Sequence, residues 1–355
     1  MKKIIAILFL VSLGLQAQTF ETLVSKSNTF LSSLTETQRA SMILDFKNDS
    51  RTKWTNLPVR IKPRKRVNIG AFSAESKMAH YQVLTAALSS QAYFKVRGIM
   101  SQDDTLTMIY KNRLDKGEIS ERQFQRMIDL DGERDNFLIY FYGTTDLNEP
   151  FGIYIGGHHF GFHVTAANRH LSMMTLFLGT DPSEVLTTEF ADLRVLIKEE
   201  GYSFLFINVL SDHQKAEDKQ NIGIPRDIIT STDGLQMIKE YTGVKASELN
   251  SAYKKLLEVV IKEYIKDLTI SKAKEVFNKI EAACFDNVYF SCVGSYETHK
   301  NHCYVINGPT FLIEYYNAGF ESKSNHIHSI YREKGNDFVE DIVHASLFQS
   351  QALKT

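Results

Sequence analysis

Hydropathy along the chain switches between helical and strand-like periods in four successive blocks, and that order restricts the fold more than any single motif does. From Phe20 to Asp45 the apolar residues Leu23, Phe30, Leu31, Leu34, Ile43 and Leu44 recur at helical spacing, and Thr35-Glu36-Thr37-Gln38 has the capping-box form that starts a second helix. Ser73 to Val96 reads as another helix, and Ser101 to Leu130 as one or two more. At Asn136 the pattern changes. Phe137 to Tyr142, Phe151 to Ile155, His158 to Ala166 and Leu171 to Phe177 are short segments rich in β-branched and aromatic residues, separated by glycine, proline or asparagine. A helical region runs from about 192 to 283, with breaks near Ile222-Gly223-Ile224-Pro225 and Thr242-Gly243. The strand pattern returns at Phe285 to Val293, Cys303 to Asn307, Thr310 to Tyr316 and His326 to Tyr331.

Segregated blocks of this kind predict an α+β fold rather than a doubly wound parallel sheet. Four short strands alone would leave a sheet face uncovered. Both blocks are therefore expected in one mainly antiparallel sheet, covered by the N-terminal and central helices, within a single domain over 18–355 that carries the insertion at about 192–283. No repeat of 20 to 50 residues is evident, which argues against solenoids and propellers.

Charge excludes further classes. With 41 basic and 42 acidic residues there is no excess to draw the chain to nucleic acid or to an anionic membrane. The cluster Arg60, Lys62, Arg64, Lys65 and Arg66 is short enough to be a solvated loop. At the N-terminus, Lys2 and Lys3 precede an uncharged apolar run from Ile4 to Leu15, and Ala17 supplies a small residue for cleavage. This has the form of a signal peptide over 1–17, the run being too short for a bilayer-spanning helix of roughly 20 residues. The expected product starts near Gln18, has no membrane span, and is exported to the periplasm or the outside; an N-terminal anchor is the alternative. Export permits disulfides. Of the three cysteines, Cys292 and Cys303 flank a turn-like segment and could pair, leaving Cys284 as a buried thiol, although the strand register that decides this is not legible.

Ten of the eleven histidines lie beyond residue 157, and two groups stand out. The first is Gly156-Gly157-His158-His159-Phe160-Gly161-Phe162-His163, in which a strand would put His159 and His163 on one face and His158 on the other. The second is His326-Ile327-His328, where alternation places both imidazoles on one face, a common way to offer two nitrogen ligands to one metal. Between them Glu314 stands in an apolar strand, where a carboxylate must be paired, hydrogen-bonded or metal-bound. It could be a ligand, a general base, or a partner that orients a histidine. Arg332 suits an anionic group through its planar fork, and Asp337 could fix a histidine tautomer or cap a helix near Phe338. His80, His170, His213, His299, His302 and His344 read as ordinary satisfied polar residues. There is no Gly-x-Ser-x-Gly elbow, Walker-type loop, Gly-x-Gly-x-x-Gly or His-Glu-x-x-His.

Several segments occur together in an order that resembles a bacterial family of secreted proteins catalogued as domain of unknown function 3500. They are Thr-Glu-Thr-Gln-Arg at 35–39, Arg51 with Trp54, Gly-His-His at 157–159, Phe177-Leu178-Gly179 with Pro182, Gln214-Lys215-Ala216, Gly308-Pro309 with Phe-Leu-Ile-Glu at 311–314, and His-Ile-His-Ser-Ile-Tyr-Arg at 326–332 with Asn336-Asp337. The resemblance implies a shared site, with departures. Where the family tends to Glu-Phe-Asp-His, this chain has Glu314-Tyr315-Tyr316-Asn317; where it tends to asparagine, this chain has His163; and its Asn-Asp-Tyr-Gly stands here as Asn336-Asp337-Phe338-Val339.

The expectation is an exported protein in which His158, His159, His163, His326 and His328 supply ligands for a divalent transition metal such as zinc, with Glu314, Arg332 and Asp337 serving a metal-dependent hydrolysis. The alternatives are a cell-envelope protein that binds a small molecule or peptide in a pocket of these histidines with Tyr315, Tyr316 and Tyr331, or a degenerate member whose site is structural.

Overall fold

A computed structural model describes residues 19–58, 61–62, 67–131, 137–168, 170–173, 175–212, 214–215, 224–225, 227–230, 238–317 and 324–335. The proposed signal segment and Asp337, His213 and His344 fall outside these residues. Helix α1 covers residues 19–32, and α2 (Glu36–Met42) starts at the expected box: the Gln38 N–H donates to the Thr35 hydroxyl, and the Thr35 N–H donates to the Gln38 side chain. α3 (Ala74–Ala87) and α4 (Ser90–Asp115) divide at Leu88-Ser89, not near residue 100 as apolar spacing suggested. The reason is a cap: the Ser89 hydroxyl accepts from the Ala92 N–H at 3.1 Å. α5 (Glu121–Asp131) folds back on α4 around a small separate core of Leu106, Tyr110 and Ile119.

Among the described residues, eleven strands form one sheet. They are β1 (Ile43–Leu44), β2 (Leu138–Tyr142), β3 (Phe151–Gly156), β4 (Phe160–Ala167), β5 (His170–Ser172), β6 (Leu176–Thr180), β7 (Val244–Lys245), β8 (Tyr289–Gly294), β9 (His302–Asn307), β10 (Phe311–Asn317) and β11 (Ile327–Glu333). Their order is β1-β2-β3-β4-β6-β11-β10-β9-β8-β7, with β5 attached to β4, and every pairing except β1–β2 is antiparallel. The fold is thus α+β, with both strand blocks in one sheet. Two expectations change in detail. The segment 171–177 is not one strand but parts of β5 and β6, and the central insertion carries β7 beside α6 (Ile197–Val209), α7 (Ser251–Ile265) and α8 (Ile270–Ala282).

The two faces of the sheet are covered differently. Phe141, Ile153, Phe162, Leu178, Ile327, Tyr315 and Tyr304 point to one side, where they share a core with residues of α1, α3, α4, α6, α7 and α8. The opposite side carries Tyr140, Tyr154, Phe177, Tyr316, Ile330 and Cys303, which pack with Trp54 and Ile228 from segments without helix. Within the helical layer, buried Lys95 of α4 reaches Glu199 of α6 at 2.7 Å and Glu263 and Asp267 of α7 and its C-terminal end at 3.0 Å each. Burial opposes the Lys95 charge, but the three carboxylates more than reverse this and hold its pKa up. Burial pushes Asp267 up to about 7, although Lys95 pulls the other way.

The register overturns the cysteine pairing. Cys303 lies opposite Val293 and Cys292 opposite Tyr304, so alternation sends the two thiols to opposite faces, where they join different cores. No disulfide joins any of the three cysteines, and Cys284 is exposed rather than buried. Alkylation of the denatured, unreduced protein should therefore modify three thiols per chain; two fewer would contradict this register.

His80 is likewise not a satisfied polar residue. It is fully buried among Phe30, Phe72 and Tyr81, and neither ring nitrogen has a hydrogen-bond partner. Burial, then the charge of Arg97, lowers its pKa to about 3. The folded value lies below the unfolded one of about 6.5, so protonation of His80 takes no stability above that pH, while stability falls progressively below it, by about 2 kcal/mol at pH 5. His80→Phe should remove that part of the acid sensitivity. Denaturant unfolding at pH 7 and pH 5 checks it, and equal losses in the two proteins would refute it.

Candidate metal centre

The centre forms where the two strand blocks meet. β6 and β11 run antiparallel with His328 opposite Gly179 and Ile327 opposite Thr180. The Gly179 N–H donates to the His159 carbonyl at 2.7 Å, which ties the turn between β3 and β4 to this seam. The first histidine pair accordingly lies in that turn, since β4 begins only at Phe160. The result joins residues 167 positions apart: His159 Nε2 is 2.9 Å from His326 Nε2, which is 3.0 Å from His328 Nε2. The His159 and His326 rings meet at 75° and those of His326 and His328 at 89°, so the nitrogens converge without stacking.

Gly179 makes room for this. A Cβ there would lie 2.9 Å from His159 Cδ2, 3.0 Å from His328 Cδ2 and 3.0 Å from the Ile327 carbonyl. Phe177, two residues earlier on the same face, has its ring 5.2 Å from His328 and 5.1 Å from Trp54.

His328 Nδ1–H donates to Asp227 Oδ1 at 2.6 Å, and Asn56 Nδ2 donates to Asp227 Oδ2 at 2.8 Å. A carboxylate behind Nδ1 fixes the tautomer and turns the Nε2 lone pair toward the other two rings, the arrangement common behind metal-bound histidines. Burial raises the Asp227 pKa, but the bonds from His328, Asn56 and the Ile228 N–H outweigh it and hold the carboxylate below its usual value. His159 and His326 have their pKa values pushed down, first by burial and then by neighbouring imidazoles, which keeps them neutral and able to donate lone pairs.

These three residues could hold a metal ion. Lone pairs that converge this closely repel unless a proton or a cation lies among them. Tetrahedral zinc with Zn–N bonds of about 2.0–2.1 Å would space its ligand nitrogens by about 3.3 Å, a few tenths of an ångström from the separations seen. A set of three imidazoles suits zinc, copper, iron or nickel rather than magnesium or calcium.

The other expected residues take different places. His158 is half-buried and stacks on His159 at 3.9 Å, beside the three converging nitrogens but not among them. His163 is buried two strand repeats further along, 4.5 Å from the Tyr154 ring, with a pKa lowered to about 3 by burial and then by Arg51. Four positions separate it from His159, on the order of 13 Å of extended chain. Arg332 is buried on the face that carries His328, about 13 Å along β11. Glu314 is also on that face, and both its oxygens are occupied: Oε2 accepts from the Ile229 N–H at 2.7 Å and the Tyr316 hydroxyl at 3.1 Å, and Oε1 accepts from the Thr230 N–H at 3.0 Å and the Thr230 hydroxyl. Burial pushes its pKa up, and these bonds only partly counter that. A carboxylate so occupied has no lone pair left for a metal or a reacting water. The tyrosines do not line one pocket, because Tyr316 shares the histidine face whereas Tyr315 and Tyr331 belong to the helical core.

A family model for proteins of unknown function, DUF3500, matches residues 16–340. The chain belongs to this family. Its match covers the three histidines, Gly179 and Asp227, so the whole centre lies within the family domain. No curated protein and no solved structure matches the chain. Among the described residues, no helix is long and apolar enough to cross a membrane.

Sequence reading missed Asp227 and Asn56, and it gave Gly179 no role. Asp227 follows a Pro-Arg pair in what reads as a helix break, and nothing local marks it as a histidine partner. Gly179→Ala should displace the His159 and His328 rings and reduce zinc uptake by at least about tenfold, while overpacking costs the fold about 1–3 kcal/mol. Equilibrium dialysis alongside thermal unfolding measures both, and undiminished zinc uptake would show that the rings do not converge on a metal.

Proposed function

We propose that this is an exported metal-dependent hydrolase with a single centre held by His159, His326 and His328. Convergence of three Nε2 atoms, one of them on a ring anchored by Asp227, carries the reading. Three histidines are the protein ligand set of an open rather than a closed zinc site. Bound zinc would supply Lewis acidity and an open fourth position, which suits hydrolysis of an ester, amide or phosphoester.

The protein's own contribution is orientation. Asp227 keeps the proton on His328 Nδ1, Asn56 holds Asp227, and Gly179 lets the rings close together. In this reading His158, half-buried and stacked on His159, would contact an entering substrate, and Glu314, with four hydrogen bonds on its two oxygens, would take no direct part. Export to the periplasm or beyond rests on Lys2, Lys3 and the apolar run from Ile4 to Leu15.

Elemental analysis of protein purified without an affinity tag should find close to one zinc per chain. His326→Ala with His328→Ala should abolish it, and less than about 0.1 metal per wild-type chain would sink the proposal. Chromogenic ester and phosphoester substrates then test turnover. Activity lost to chelator and restored by zinc supports a hydrolase, whereas tightly held zinc with no turnover across the panel favours a structural centre.

A further inference from the structure

Glu314 accepts four hydrogen bonds close to the centre, and none of these four comes from the three histidines. Three of its four bonds go to residues 229 and 230, and Asp227 lies two residues before that grip. Asp227 is held in turn by the Ile228 N–H at 2.7 Å and by Asn56, and it meets His328 Nδ1 at 2.6 Å. Glu314 stands on β10 opposite Ile330, so the 227–230 segment crosses from above β10 to His328 on β11. We infer that Glu314 is a positioning residue, which sets the tautomer and orientation of His328 by anchoring the 227–230 segment that carries Asp227. The inference rests on the metal reading only where metal affinity is concerned.

The residue type fits this role. Four donors converge on two oxygens, and a carboxylate has four lone-pair directions and no hydrogen to clash with them. Glutamine would turn an amide N–H₂ toward at least one of those donors. Aspartate is one methylene too short to reach from the strand. The anchoring is also distinct from mere satisfaction of a buried charge, which any set of donors would achieve. Here two of the donors are consecutive backbone N–H groups, so the bonds fix the path of the chain and not only the state of Glu314.

The test uses metal-free, ¹⁵N-histidine-labelled protein, in which long-range proton–nitrogen spectra read the His328 tautomer. Wild type should show the proton on Nδ1. Glu314→Gln and Thr230→Val should shift His328 toward a tautomer mixture, Thr230→Ser should restore the wild-type signal, and Asp227→Asn should reproduce the shift. Zinc competition should show a loss of about 10–100-fold for Glu314→Gln and the same for Asp227→Asn, with no further loss in the double variant, because the two act through one contact. A folded Glu314→Gln with wild-type tautomer would overturn the inference, as would additive losses in the double variant. If Glu314→Gln does not fold, the Thr230 pair decides, and a wild-type His328 signal in Thr230→Val overturns it. Absence of zinc binding in wild type would defeat the metal reading and leave the tautomer result to judge this inference alone.

Discussion

The antiparallel seam between β6 and β11 is the contact on which the rest of the structure depends. It joins a strand block that ends at Thr180 to one that begins at Tyr289, and it pairs strands that are last in the first block and last in the second. Without it the chain would hold two small sheets, each with edges to protect. With it, the turn carrying His159 and the strand carrying His328 lie on one surface, at a register that a one-residue slip would destroy by sending His328 into the helical core. The centre is therefore a product of the longest-range strand pairing among the described residues.

The asymmetry of the layers gives that centre its setting. Helices cover one face and bury the apolar majority together with the ionic group around Lys95. The other face is covered near the centre by the segments around Trp54 and Ile228. Loops tolerate change better than packed helices do. Such an arrangement leaves the histidine cluster on the side that can vary while the packing that holds the sheet stays on the other, and Asn56 and Asp227 both come from the variable side.

The α+β class, the joining of both strand blocks and the pair His326 and His328 were all legible, because each follows from periodicity over short windows. What escaped was set by partners far away in sequence. The Cys292 and Cys303 thiols looked like neighbours, but one residue of register puts them on opposite faces. Glu314 was rightly read as a buried carboxylate in need of partners, yet nothing in Phe-Leu-Ile-Glu reveals that its donors come from residues 229 and 230. His163 shares its face with His159 but lies too far along β4 to take part, a distance that alternation alone does not weigh.

The aromatic contact from His328 through Phe177 to Trp54 has one further consequence. Trp54 is the sole tryptophan of the chain, and it is buried against a ring that itself touches the centre. Its emission is thus the protein's only indole signal and originates within two ring contacts of the histidines. The molecule carries a built-in optical reporter: occupancy of the centre by a quenching ion, or a shift of the His328 ring, can be followed by light without any label.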